Sequence, residues 1–105
     1  MERQIDSVFN ALADSSRRKI LTMLTDKEMK VNDIAGHFKF SRPAVSKHLR
    51  ILENSKLVIP RWEGRERYYR MNPKPLKEVE KWLKYFDKFW DDKLNSLKNF
   101  IEKEK

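Results

Sequence analysis

The sequence predicts a mainly α fold carrying a small β-hairpin, and three observations lead there. Apolar residues recur at spacings of three and four through both ends of the 105-residue chain. A serine, an arginine and a proline at 41–43 read as a helix opening, with apolar positions following at Val45, Leu49 and Leu52. Two β-prone runs, LVIPRW at 57–62 and ERYYRM at 66–71, flank Glu63, Gly64 and Arg65, as a hairpin requires.

Taken in order, Ile5, Val8, Phe9 and Leu12 share one face of a first helix. Asp14 offers an N-cap to a second helix that turns Ile20, Leu21 and Leu24 inward. Thr25 to Lys30 is polar and is expected to be a loop. Asn32 is placed to cap a short third helix, with Asp33 in its first turn and Ile34, Ala35 and Phe38 as its apolar set. After the tight connection Lys39-Phe40-Ser41, Ser41 caps a fourth helix, and Pro43 sits in its first turn, where a missing N–H costs nothing. At about 100° per residue, Val45, Leu49 and Leu52 fall in one narrow sector. Pro43, Ser46, Lys47 and Arg50 fall opposite, with Arg42 at the margin. In the hairpin, Pro60 cannot donate to a central ladder, so its strand is expected to lie at an edge or to be irregular there. Beyond Pro73 and Pro75 one long helix is expected to about Glu102, with an apolar stripe from Leu76 to Ile101 widened by Trp82, Phe89 and Phe100.

Composition narrows the function classes. A chain this short makes one small domain with a marginal core, for which a partner subunit is a natural complement. It has no cysteine, which removes thiolate chemistry and disulfides and suits a cytoplasmic location. No N-terminal stretch pairs a basic head with an apolar run, and none approaches roughly 18 uncharged residues, so neither secretion nor membrane spanning is expected. Two glycines leave no phosphate-cradling loop, and no nucleophile–base spacing appears, so catalysis is not expected. The net charge of +8 favours a polyanionic partner. Its distribution says more: residues 41–70 carry eight Lys/Arg against three Asp/Glu, whereas 1–40 carry seven against six and 71–105 nine against seven.

The excess therefore surrounds the fourth helix and the hairpin. A duplex major groove admits an α-helix whose inserted face is slim. Pro43 and Ser46 leave room for that approach, while Arg42, Lys47 and Arg50 reach guanine edges or phosphates, and the helix N-terminus adds N–H donors. The bland alternative is a merely solvated basic face. The upstream cap and turn, the small residues on the same face and the adjacent basic hairpin weigh against it. Helix, tight turn, helix and basic hairpin is the order of a winged helix-turn-helix.

FNALADSSRRKILTML, VNDIAGHFKFSRPAVSKHLRILENSKLV and RWEGRERYYRMNP together resemble the ArsR-type winged helix-turn-helix transcriptional regulators, over nearly the whole chain. The resemblance implies one domain over 1–105: N-terminal helices at 1–30, the helix-turn-helix at 31–53, the wing at 57–71 and a C-terminal dimerisation helix at 75–103. It implies a homodimer, usually a repressor, that reads double-stranded DNA with the helix at 42–53. By that resemblance Arg42, Pro43, Ser46 and Lys47 are the expected groove-facing residues of that helix and Arg61, Arg65 and Arg67 the wing contacts; Ser41 and Arg50 are expected to anchor the DNA backbone. An inverted-repeat operator and occlusion of a promoter follow.

The chain departs from the metal-sensing branch, which carries Cys-x-Cys in the third helix or carboxylate and histidine ligands on the last. Here Met29 to Asp33 hold no cysteine, and no histidine follows His48, so neither metal nor other cofactor is expected. Lys56 stands where family members often have the glycine that ends the reading helix. His48 lies on the flank of that helix and is expected to pack against its neighbour. Trp62, Tyr68 and Tyr69 are expected as core anchors of the hairpin.

A helix over 76–101 is roughly 39 Å long at about 1.5 Å per residue, more than one domain of this size can cover. Ile5, Phe9, Phe86, Phe89, Trp90, Leu94 and Leu97 are therefore assigned to a two-fold dimer interface. A membrane-surface role is disfavoured by the acidic residues interleaved with the lysines of this helix. An aromatic ligand box among Trp82, Phe86 and Phe89, and a module docking another protein through the same stripe, are the alternatives. The residues do not name an effector.

Overall fold

The computed structural model describes residues 2–103. Helices α1 (Glu2–Leu12) and α2 (Ser15–Met23) are followed by a short strand β1 (Met29–Lys30), then α3 (Val31–Ala35) and α4 (Arg42–Asn54). Strands β2 (Val58–Glu63) and β3 (Glu66–Met71) form the hairpin, and α5 (Lys74–Tyr85) and α6 (Asp87–Lys103) complete the chain.

Helix α4 runs through the centre because its apolar sector has no other place to go. Val45, Leu49 and Leu52 are wholly buried and pack with Val8, Ile20, Ile34 and Leu57. Each such side chain contributes about 1.5–3 kcal/mol as an upper value. Polar ties fix the helices around that core. The Arg17 guanidinium donates from Nε to the Ala11 carbonyl (2.7 Å) and from Nη2 to that of Asn10 (3.0 Å), satisfying the orphan carbonyls at the end of α1. Gln4 donates to the Ser55 carbonyl (2.8 Å), joining α1 to the end of α4.

The expected Asp14 cap is present: its carboxylate accepts from the Arg17 backbone N–H at 3.0 Å. The Ser41 hydroxyl likewise accepts from Ala44 N–H (3.4 Å), with a proline in the first turn of α4. At the other end Lys56 has φ 65°; its N–H reaches the Glu53 carbonyl (2.9 Å), and that of Leu57 reaches Leu52 (3.0 Å). That pair of bonds is a Schellman closure, with Lys56 in the place glycine favours.

Four expectations are corrected. The polar stretch at 25–30 ends in β1, where Met29 and Lys30 pair antiparallel with Tyr69 and Tyr68, giving a three-stranded sheet of order β1-β3-β2. Two residues are too few for alternation to announce a strand, and here pairing with β3 decides. Helix α3 begins two residues early, behind Lys30 and without a side-chain cap, so Asn32 is not its N-cap. The long C-terminal helix is two helices: at Phe86 (φ −94°, ψ −3°) the N–H bonds to Leu83 three residues back, a local tightening, and Asp87 opens α6. Of the hairpin aromatics, Tyr69 is buried, but Trp62 is 66% exposed and anchors no core. Pro60 does lie on an edge strand, in β2.

Candidate nucleic-acid interface

With Val45, Leu49 and Leu52 committed to the core, the other face of α4 is left to the outside. Arg42, Pro43, Lys47 and Arg50 are exposed, and Ser46 is half-buried. Arg42, Lys47 and Arg50 form no ion pair among the described residues, so three cations stand free on one slim face.

The wing stands beside this face. Its tip turns at Gly64 (φ 62°), where an added Cβ would meet nothing, so glycine is used for its backbone conformation rather than for space. Residues directly opposite across β2 and β3 point the same way, so the register Trp62↔Arg67 and Pro60↔Tyr69 builds one face and Arg61↔Tyr68 the other. The first face looks at α4. Between them lies a groove of about 340 Å³ whose walls include Arg42, Ser46 and Arg50 from α4, and Trp62, Arg65 and Arg67 from the wing.

The three wing arginines thus separate. Arg65, at the tip, is exposed and has no ion pair among the described residues. Arg67 reaches across to the Glu53 carboxylate of α4 (2.8 Å), and its guanidinium lies 5.5 Å from the Trp62 ring centre and 5.4 Å from that of Tyr69. Arg61 is on the far face, bound to Glu28 (2.6 Å) and Glu63 (3.3 Å) over the Tyr68 ring. The Glu28 carboxylate at its Nε raises the Arg61 pKa, so its charge is permanent but already matched. Glu66 is similarly engaged: the Lys30 ammonium (3.1 Å) lowers its pKa, and the Tyr68 hydroxyl donates to it at 3.3 Å.

His48 lies where its flank position placed it, with Nδ1 3.4 Å from Arg17 Nη1 and 3.9 Å from the Asp14 carboxylate, beside the Phe40 ring. Among the described residues no three His, Cys, Asp or Glu side chains are grouped to hold a metal ion. Among them, too, no helix is long and apolar enough to cross a membrane. The structure brings Arg42, Ser46, Arg50, Arg65 and Arg67 to one groove, leaves Ser41, Pro43 and Lys47 on the adjoining surface of α4, and takes Arg61 elsewhere. Sequence reasoning missed Glu53 as the counter-ion of Arg67 and Trp62 as a wall of the groove. Hairpin alternation carried the signal for the second, since it sets Trp62 across from Arg67.

The surface at the other end of the chain is apolar. Phe9 packs edge-on against Trp82 (5.3 Å), which continues to Phe86 (5.0 Å). From there Phe89, Trp90, Leu94 and Leu97 run outward along α6, each about half exposed. Of the expected interface residues, Ile5 and Phe9 are half-buried on the body and the other five lie on this outward face.

A cationic helix set behind a tight turn, with a hairpin standing at its side, defines a winged helix-turn-helix, a class of proteins that bind duplex DNA. Residues 14–59 match the family described as bacterial regulatory protein, arsR family. The transcriptional repressor SdpR of Bacillus subtilis is 37% identical over 82 residues, spanning 78% of this chain and 91% of that protein. The HTH-type transcriptional regulator Rv2034 of Mycobacterium tuberculosis is 35% identical over 97% of this chain and 92% of its own. Among solved structures, an ArsR-like transcriptional regulator from Rhodococcus sp. RHA1 superposes with a TM-score of 0.73 at 32% identity, covering 94% of this chain and 93% of that one. The chain belongs to the ArsR family and is a DNA-binding transcriptional regulator, not an enzyme.

Proposed function

We propose that the protein acts in the cytoplasm as a homodimer that represses transcription by covering an inverted-repeat operator within a promoter. The observation that carries this reading is the division of α4: one face wholly buried, the other slim, cationic and unpaired. Inserted in a major groove, Arg42 and Lys47 read base edges, and bidentate pairing of an arginine with guanine fits the length and planarity of Arg42. Pro43 and Ser46 permit the close approach, while Ser41 and Arg50 hold the sugar–phosphate backbone. On the wing, Arg65 is the free phosphate ligand. Arg67 lies at the same groove with its charge shared with Glu53, and Arg61 borders the wing from the far face. Two copies joined through the apolar face of α1, α5 and α6 would set their reading helices about 34 Å apart, one turn of duplex.

The test is selection of bound fragments from genomic DNA, followed by titration of the recovered sequence. A palindromic motif with half-sites about 10 base pairs apart is expected. Only salt-labile binding without a motif would overturn the reading. Arg42→Ala should weaken binding to the recovered sequence by about 1–3 kcal/mol per half-site and relax preference at one base pair. Equal losses on recovered and scrambled duplexes would remove Arg42 from the reading set.

A further inference from the structure

We infer that Trp62 is a DNA-contacting residue: it lays its indole against the sugar–phosphate backbone of the strand that passes between α4 and the wing. This rests on the duplex-binding reading above and adds to it a contact made by shape rather than by charge.

The groove contains five cations, Lys30, Arg42, Arg50, Arg65 and Arg67, and two carboxylates, Glu53 and Glu66. Both carboxylates are taken within the protein, Glu53 by Arg67 and Glu66 by Lys30. What remains for a ligand is Arg50 and Arg65, on opposite walls, a pattern that fits backbone phosphates, together with Arg42, the base reader. Trp62 stands on the wing wall with two-thirds of its surface in water. Its underside is braced, because Arg67 lies between the Trp62 and Tyr69 rings and is held by Glu53 of the opposite wall. Its charge matched by Glu53 and its plane set against both rings, Arg67 acts as a positioning residue. A rigid ring presented into a cationic groove can cover deoxyribose with its face and donate its N–H to a phosphate oxygen. Duplex bases are stacked away from such a wall, so the backbone is what it meets.

The experiment measures the affinity of the full chain for two duplexes, the selected sequence and a scrambled one of equal length, across a salt series. Trp62→Ala should weaken both by about tenfold, the equivalent of ~1.4 kcal/mol. Because no charge is removed, its salt slope should stay that of the parent, whereas Arg65→Ala should lower the slope by about 0.9 per subunit. Trp62→Phe should recover most of the affinity, while abolishing the change in tryptophan emission expected of the parent on binding. Undiminished affinity in Trp62→Ala, or an emission change that survives Trp62→Phe, overturns the inference while leaving the regulator reading intact. So does a loss confined to the selected sequence, which would make Trp62 a base reader. So does a loss matched by an equal fall in thermal stability and not restored by phenylalanine, which would reduce Trp62 to wing packing. A parent protein that binds neither duplex fails the underlying reading as well.

Discussion

Lys56 shows how much can rest on one backbone angle. Its φ of 65° closes α4, and its carbonyl accepts from the Asn72 side chain at 2.9 Å, so the chain must pass through this conformation to enter β2. A Cβ in the left-handed region crowds the carbonyl and costs about 1 kcal/mol relative to glycine. The side chain is exposed and makes no ion pair among the described residues, so little offsets that cost. Lys56→Gly should therefore raise Tm by roughly 4–8 °C, whereas Lys56→Ala, which keeps the Cβ, should not. Circular dichroism melts decide it; an unmoved Lys56→Gly midpoint would mean the strain is relieved elsewhere. Trp62 and Arg67 mark where reading by residue type stops. An aromatic in a hairpin resting on a helical body is ordinarily an anchor, and an arginine in a wing is ordinarily a phosphate ligand. Here Tyr69 takes the core, Arg67 takes Glu53, and Trp62 is left outside. Those assignments depend on which strand face turns to α4, and that is set by tertiary packing.

At the scale of elements, what was legible followed from local chemistry. Asp14 and Ser41 cap the helices they precede, and Pro60 lies on an edge strand, because side-chain acceptors and missing donors act within a few residues. The strand at Met29–Lys30, the uncapped start of α3 and the step at Phe86 were not legible. The first depends on a partner distant in sequence, the second on the β1 backbone leading directly into the helix, and the third has no proline or glycine to announce it. The α2 cap gives a prediction with a sign. The hydrogen bond from Arg17 N–H, aided by the charges of His48 and Arg17, holds the Asp14 carboxyl below its usual value despite opposing desolvation. A carboxyl lowered in the folded state adds stability above its unfolded value, and that stability is lost as pH falls through the folded one. Asp14→Asn keeps an acceptor at the cap but no longer titrates. Its Tm should fall less steeply than that of the parent between about pH 5 and pH 2.5. Parallel curves would assign the acid sensitivity to other carboxylates.

The whole molecule is too long for its size. Its radius of gyration is 18.7 Å and its longest extent 65 Å, against about 13 Å for the radius of a compact chain of 100 residues. The excess is α6, which buries none of its residues and leaves Trp90 62% and Leu94 49% exposed. Such a face in water is a liability, and the proposed dimer would cover it with a second copy of the same helix related by two-fold symmetry. Leu94→Asp would place an unpaired carboxylate in that contact, which costs several kcal/mol unless the contact opens. Sedimentation equilibrium should find twice the 12.8 kDa chain mass for the parent and a single chain mass for the variant. The core around α4 includes no residue of α6, so the far-ultraviolet spectrum of the head should persist. The parent Tm should also rise with protein concentration, and that of the variant should not, because association stabilises the folded state by mass action. DNA affinity then supplies the functional reading of the same change. In the proposed dimer, two heads on one rigid body would bind an inverted repeat with the second contact effectively intramolecular, so separating them should cost far more on the palindrome than on an isolated half-site. A variant that keeps dimer mass would move the interface away from α6 and leave the length of the molecule without this explanation.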